Sequence, residues 1–375
     1  MLNMDFILNK QHPSLRLNTV CPYFTMFPLS FPFKVLSATD NKNLVYDPFC
    51  GRGTTNYAAR LLGLKSYGVD SNPVAFAIAQ AKLVDANPKQ IYNLCKEIVN
   101  SKLDGNLPVG DFWQWGYQQD TLIDICKLRN YFLGKSELNK IEIALRAIIL
   151  GVLHGPLMKS EPSYLSNQMP RTFASKPDYS VRFWQKRDLI PQYVNVSNLI
   201  KRKAEYIFNN QTPKKVDGHI VLGDSRYVND FTKRKFDFII TSPPYYGMAT
   251  YEQDQWLRNW FMGGPEKVNY SSKSQIVHWS ESSFINDLAK VWLNSAEKCK
   301  SNAKLVIRFG ALPSKSAKGP CGIITESLFR ANCGWQISKI ENAGKPNSSN
   351  RQANQFKNTT GNYIEEIDVY ASLNL

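Results

Sequence analysis

Along the chain, apolar positions first gather in an aromatic and proline-rich opening, Pro22-Tyr23-Phe24 through Phe31-Pro32-Phe33. It is too apolar for a free tail and is expected to lie against a core. Short apolar runs then alternate with helical spacing. Leu44-Val45-Tyr46 predicts a strand, Thr55 to Leu62 a helix, Ser66 to Val69 a second strand and Pro73 to Leu83 a second helix. The order β, α, β, α points to a parallel, doubly wound sheet. From Ala86 to Thr212 the character changes. Helical patterns cover Gln90 to Val99, Thr121 to Phe132 and Leu138 to Leu153, and an aromatic, basic stretch without clear periodicity follows. The β pattern resumes at His219-Ile220-Val221-Leu222, Phe236 to Ile240, Ala303 to Arg308, Trp335 to Ile340 and Ile364 to Ala371. The expected fold is α/β. One doubly wound, mostly parallel sheet is built from residues 1–85 and 213–375, and a large, mainly helical insertion spans 86–212.

Composition narrows the partners. The 375 residues carry 46 Lys and Arg against 31 Asp and Glu, a net charge of +15, which favours an anionic partner, nucleic acid first. No apolar run approaches the ~18–20 residues that cross a bilayer, and Met1-Leu2-Asn3-Met4-Asp5 lacks a signal peptide's basic start. The seven cysteines are scattered, with no Cys-x-x-Cys pair, which argues against a disulfide scaffold and a zinc ribbon. A reduced, cytoplasmic protein without a membrane segment is expected. His12, His154, His219 and His278 have no ligand-spaced partner, so no metal site is expected, and His154 reads as a packing or capping residue.

Two loops carry the chemistry. Asp47-Pro48-Phe49-Cys50-Gly51-Arg52-Gly53-Thr54-Thr55 links a predicted strand to a predicted helix. Gly51 and Gly53 allow unusual φ and close ligand approach, and the helix start offers N–H groups to a ligand's negative end. Asp70 ends the next strand, where a carboxylate can accept both hydroxyls of a ribose. A plain strand–helix turn is the bland alternative. A dinucleotide fingerprint fits less well, because Asn56 stands where a third Gly or Ala is wanted.

The second loop is Thr241-Ser242-Pro243-Pro244-Tyr245-Tyr246-Gly247, directly after the apolar run Phe236 to Ile240. Two prolines after a buried strand stop pairing, stiffen the loop and leave the Pro243 carbonyl without a sheet partner. With the Ser242 hydroxyl and the flat face of Tyr245, this suits a planar ring bearing an exocyclic amine. A rigid turn with an exposed tyrosine is the competing account.

Together the two loops resemble the amino-group DNA methyltransferases, which use S-adenosyl-L-methionine to methylate cytosine N4 or adenine N6. The first loop matches their cofactor motif and Ser242-Pro243-Pro244-Tyr245 their catalytic motif; the likeness covers about residues 20–84 and 216–372. It implies a Rossmann-like methyltransferase fold with Asp47, Phe49, Gly51, Gly53, Thr54 and Asp70 around the cofactor. It also makes Asp224 the acceptor of the cofactor's adenine amine, and Pro22 to Phe27, with Phe24, the segment over its methionine part. Double-stranded DNA is the implied substrate. A restriction–modification setting, with an endonuclease acting on the same site, is usual for such enzymes, although nothing in the chain shows a nuclease. Ser at the first catalytic position is more like the cytosine-N4 enzymes. Adenine N6 stays open, as do an RNA substrate and an inactive nucleic-acid-binding protein of the same fold.

The chemistry is consistent with that likeness. Methylation at a ring carbon needs a thiolate nucleophile, and no cysteine follows a proline at the catalytic position. An exocyclic amine can attack the methyl in line, without a metal, if Ser242 Oγ and the Pro243 carbonyl hold its N–H groups. The base must be flipped out and stacked, with Tyr245 as the stacking face and Tyr246 as a flanking wall. For DNA contact the candidates are Arg258, from a run whose Leu257, Trp260 and Phe261 have helical, core-like spacing, and Arg171, Lys176, Arg182, Lys186 and Arg187 of the insertion. A solvated basic face over a small helical subdomain is the alternative for the latter five.

Overall fold

The structure is a computed structural model that describes residues 4–9, 12–23, 27–102, 106–158, 160–209, 216–228, 230–231, 233–247, 251–268, 280–311, 316–343 and 365–374. Seven strands form one sheet: β1 (Leu44–Asp47), β2 (Lys65–Asp70), β3 (Gly218–Leu222), β4 (Phe236–Thr241), β5 (Cys299–Ala311), β6 (Trp335–Asn342) and β7 (Glu365–Leu373). Their order is β3-β2-β1-β4-β5-β7-β6. The first five run parallel, and β7 is antiparallel to both β5 and β6. This is the expected doubly wound, mostly parallel sheet with one reversed strand.

Alternation along the strands separates the two faces. Tyr46, Ile239, Leu305 and Ile307 share a core with Phe284, Leu288 and Trp292 of the Glu281–Ala296 helix and Ile323 and Ile324 of the Gly319–Ala331 helix. Their neighbours Val45, Ile240 and Val306 point the other way, onto Ala59 of the Thr54–Leu62 helix and Phe31 and Leu36 near the N-terminus. A period of two with both faces covered is what a parallel sheet requires.

The inserted helices Pro88–Val99, Gln119–Leu133, Lys140–Val152 and Val196–Phe208 continue the second of these layers. Ile91, Ile125, Ile148 and Ile200 share one apolar core with Tyr57 and Ala58 of the Thr54–Leu62 helix and Val74 and Ile78 of the Pro73–Ala81 helix. Gly151 permits a close approach to the N-terminal segment, since a Cβ there would meet the Val20 carbonyl oxygen at 2.2 Å. Two helices lie in the stretch that showed no periodicity, Pro177–Gln185 and Val196–Phe208. Pro177–Gln185 buries only Ser180, Val181 and Trp184, too small an apolar stripe to stand out among exposed aromatics. No helix among the described residues is long and apolar enough to cross a membrane.

Candidate active site

In an open parallel sheet, ligands bind beyond the carboxyl ends of the strands where the winding reverses. Here that place is between β1, whose other neighbour is β2, and β4, which continues to β5. Both sequence-predicted loops leave the sheet at this point, one from Asp47 and one from Thr241.

A buried hydrogen bond joins them. Thr241 Oγ1 donates to Asp47 Oδ1 at 2.6 Å, and the Phe49 amide donates to the same oxygen at 3.1 Å. Thr55 Oγ1, in the first turn of the Thr54–Leu62 helix, donates to the Ile240 carbonyl at 3.0 Å. Asp47 Oδ2 is buried and has no hydrogen-bond partner among the described residues. Burial pushes the Asp47 carboxyl up to about 7, against the lowering effect of the Thr241 hydroxyl, the Thr55 hydroxyl and the Phe49 amide. Thr241 was not singled out from the sequence, although its place one residue before Ser242 at a strand end was visible.

The turn after Asp47 is shaped by two glycines with positive φ, Gly51 at 51° and Gly53 at 72°. A Cβ on Gly51 would have nothing within 4 Å, so the space over the turn is open; one on Gly53 would meet Ala79 Cα at 2.9 Å. Gly53 also caps the helix that begins at the buried Thr54. Asp70 Oδ2 accepts the Gly51 amide and Oδ1 the Asn72 amide, each at 2.8 Å. Burial pushes this carboxyl up to about 6. Each carboxylate oxygen can accept a further bond, so Asp70 keeps capacity for two hydroxyls. The open turn, the part-satisfied Asp70 and the orphaned Asp47 oxygen fit a ligand with a ribose and polar ends.

Arg52, another residue without an assigned role, is buried and leaves the turn to reach the Asn18 carbonyl and side chain and the Cys21 carbonyl at 3.3 Å. It ties the glycine turn to the segment just before Pro22. Phe24 lies outside the described residues. Phe49 is half-buried, its ring edge-on to Trp292 at 6.3 Å, and Ser225 Oγ donates to the Pro48 carbonyl. Asp224 follows β3 as expected, but both its oxygens are gripped by Arg226: Oδ1 accepts from the Arg226 amide at 2.9 Å and Nε at 3.0 Å, and Oδ2 from Nη2 at 2.6 Å. Arg226 also pairs with Asp287 at 2.7 Å. Any adenine amine at Asp224 shares the carboxylate with this guanidinium.

In the second loop, Pro243 is buried and Ser242, Pro244 and Tyr245 are half-buried. The Tyr245 ring meets Phe309 edge-on at 5.9 Å, and its hydroxyl donates to Glu366 Oε1 at 3.2 Å. Because β7 runs antiparallel, its first residues lie at the same edge as the ends of β4 and β5.

Two expected DNA contacts are corrected. Tyr246 is 8 % exposed and is a core residue: its ring packs on Phe284 at 5.3 Å and its backbone bridges to Ala311. Arg258 is 0 % exposed and faces no phosphate. Its guanidinium donates to the carbonyls of Leu150 at 2.8 Å, Arg171 at 2.9 Å and Thr172 at 3.4 Å, and to Gln255 Oε1 at 2.6 Å. The Trp256–Phe261 helix is enclosed on nearly every side, so its one cation became an internal strut. Arg171, Lys176, Arg182, Lys186 and Arg187 are all exposed. His154 is buried with Nδ1 at 2.7 Å from the Pro170 carbonyl, and burial drives its pKa down, as befits a packing residue.

The DNA methylase family, of the N6/N4 amino type, matches residues 8–81. The chain is 22 % identical over 242 residues to the Type II methyltransferase M.MvaI of Kocuria varians, covering 57 % of this chain and 50 % of that one. It is 21 % identical over 245 residues to the Type II methyltransferase M.BsoBI of Geobacillus stearothermophilus, covering 60 % and 48 % respectively. It thus spans about half the length of each relative. Among solved structures, an rRNA methylase from Streptococcus thermophilus is a loose likeness, with a TM-score of 0.35 and 7 % identity over 94 % of this chain and 99 % of that one. The match takes in the glycine turn, and with the two Type II relatives it makes the chain similar to the amino-group DNA methyltransferases, the family its two loops resemble.

Proposed function

We propose that this chain is an S-adenosylmethionine-dependent DNA methyltransferase that modifies an exocyclic base amine within a specific sequence, cytosine N4 ahead of adenine N6. The observation that carries the reading is the Thr241–Asp47 hydrogen bond of 2.6 Å, which holds the glycine turn and the Ser-Pro-Pro-Tyr loop side by side at the β1–β4 reversal.

The residues divide the work. Asp70 would hold the ribose hydroxyls, and the open turn at Gly51 would admit the body of the cofactor. The first-turn N–H groups of the Thr54–Leu62 helix favour a negative group beside them. When bound, S-adenosylmethionine supplies a methyl group activated by its sulfonium. Ser242 Oγ and the Pro243 carbonyl accept the two N–H bonds of the target amine, which favours a tetrahedral nitrogen with its lone pair available. Pro243 and Pro244 fix that pair of acceptors without loop reorganisation. Tyr245 stacks the base once it has left the duplex, in the manner of enzymes that flip their target. The smaller cytosine ring suits a short hydroxyl acceptor that must be approached closely. A restriction endonuclease for the same site is the proposed companion, and the reducing cytoplasm the proposed setting.

The test is to incubate the protein with duplex DNA and labelled cofactor and to identify the methylated nucleoside by mass spectrometry. N4-methylcytosine is expected. N6-methyladenine as sole product would overturn the choice of base, and 5-methylcytosine would overturn the mechanism. In the same assay Ser242→Ala should lower turnover far more than cofactor affinity, because its bond strengthens as the nitrogen becomes tetrahedral.

A further inference from the structure

The outward face of the Pro177–Gln185 helix and its continuation carries Tyr179, Arg182, Phe183, Lys186 and Arg187, at the i, i+3, i+4, i+7, i+8 spacing of one helical stripe. Three of them are layered. The Tyr179 and Phe183 rings lie 6.3 Å apart and 29° from parallel, and the Arg187 guanidinium sits over the Phe183 ring at 4.0 Å. Arg187 Nη1 also donates to the Phe183 carbonyl at 3.5 Å. Yet Tyr179 is 57 % exposed, and Arg182, Lys186 and Arg187 form none of the ion pairs found among the described residues. Phe183 is half-buried and packs on the main apolar core, whereas Tyr179 stands exposed beside it, and a cation that only solubilised the surface needs no ring beneath it.

The stripe is also anchored to the chain that leaves the Ser242 loop. Trp256 Nε1 donates to the Ser175 carbonyl at 3.1 Å, the Ala174 amide to the Asp254 carbonyl at 2.8 Å, and Arg258 to the Arg171 carbonyl at 2.9 Å. On its inner side Trp184 locks the helix by donating to the Gln168 carbonyl at 2.7 Å.

We infer that this face is a DNA-backbone rail in which Phe183 is a positioning residue: it holds the Arg187 guanidinium flat, so that its outward N–H edge meets a phosphate of the duplex without first losing rotamer freedom. The inference rests on the proposed function for the choice of DNA. A guanidinium pinned on a ring keeps its hydrogen-bonding fork in one plane, the geometry that suits a phosphate. Arg182 and Lys186 extend the same positive stripe along the helix, and the net charge of +15 supplies the matching long-range attraction.

The experiment is a double-mutant cycle on duplex DNA affinity, read by fluorescence anisotropy, with cofactor affinity measured alongside. Phe183→Leu and Arg187→Ala should each weaken DNA binding by about two- to ten-fold, the cost of immobilising one rotamer-rich side chain that the ring otherwise holds in place. Together they should weaken it little more than Arg187→Ala alone, and Phe183→Tyr should restore wild-type affinity. Arg187→Ala should also lower the salt slope by about one unit. Additive effects, or no loss from Phe183→Leu, would overturn the positioning role while leaving the methyltransferase reading intact. Wild-type protein that binds no duplex DNA would instead overturn that reading. Loss of binding to an RNA hairpin but not to duplex DNA in these variants would overturn the choice of partner.

Discussion

Asp47 and Asp70 end adjacent parallel strands, and burial raises the pKa of both, yet their partners give them different tasks. Asp47 spends Oδ1 on Thr241 and Phe49 and so binds one loop to the other. Asp70 takes one backbone amide on each oxygen, which orients the carboxylate and leaves it able to accept more. Ribose hydroxyls bond best to the ionised form, and Asp70 ionises at about 6. Cofactor affinity should therefore rise between pH 5 and pH 7. Asp70→Asn should weaken affinity by ~1.5–3 kcal/mol for each charge-assisted bond lost and flatten the pH profile. Calorimetry across that range checks both, and a flat wild-type profile would remove Asp70 from the ribose site. Thr241→Val strips Asp47 of its shortest bond and should cost ~1–3 kcal/mol of stability with a fall in turnover. Denaturant melts and initial rates measure the two effects. Thr241→Ser, which keeps the hydroxyl, should recover most of each.

At the scale of elements, the Trp256–Phe261 helix shows what residue type alone does not reveal. Arg258 resembles a phosphate contact in a list of cations, but three carbonyls and one side-chain amide from three segments converge on it inside the protein. Arg258→Met should destabilise the fold by roughly 3–5 kcal/mol, since several carbonyls are stranded at once at ~1–3 kcal/mol each. A drop in urea midpoint that size supports the strut; unchanged stability with a smaller salt slope for DNA would return Arg258 to the surface. The strands were legible because buried parallel strands read as short apolar runs, and the two loops because glycine and proline mark backbone that a sheet or helix does not tolerate. The reversed direction of β7 was not legible, for strand direction leaves no mark in local spacing. Nor was the burial of Tyr246, which Phe284 and Ala311 impose from distant parts of the chain. The grip of Arg226 on Asp224 was hidden for a different reason: the residues lie two apart, but their bonding depends on the turn after β3 and on Asp287 beyond it.

At the scale of the whole molecule, the insertion and the helices on one face of the sheet share a core, and charging buried carboxylates at the strand ends changes the stability of the fold as a whole. In the unfolded chain Asp47 and Asp70 release protons near 4, whereas the fold retains them up to about 7 and about 6. Between those limits the native state binds more protons than the unfolded one, so these two groups stabilise the fold below pH 4 and that contribution is lost as pH rises through 6 and 7. The urea midpoint of the cofactor-free protein should accordingly fall across this window. Asp47→Asn keeps an acceptor for Thr241 but has no proton to release, and it should make the fall shallower. Saturating cofactor should do the same by favouring the ionised Asp70, and its stabilisation should grow with pH. Melts of wild type and Asp47→Asn from pH 4.5 to 8, with and without S-adenosylmethionine, read all of these at once. If the two proteins lose stability in parallel, Asp47 is not the group being charged, and the buried link between the two loops carries no proton into the neutral range.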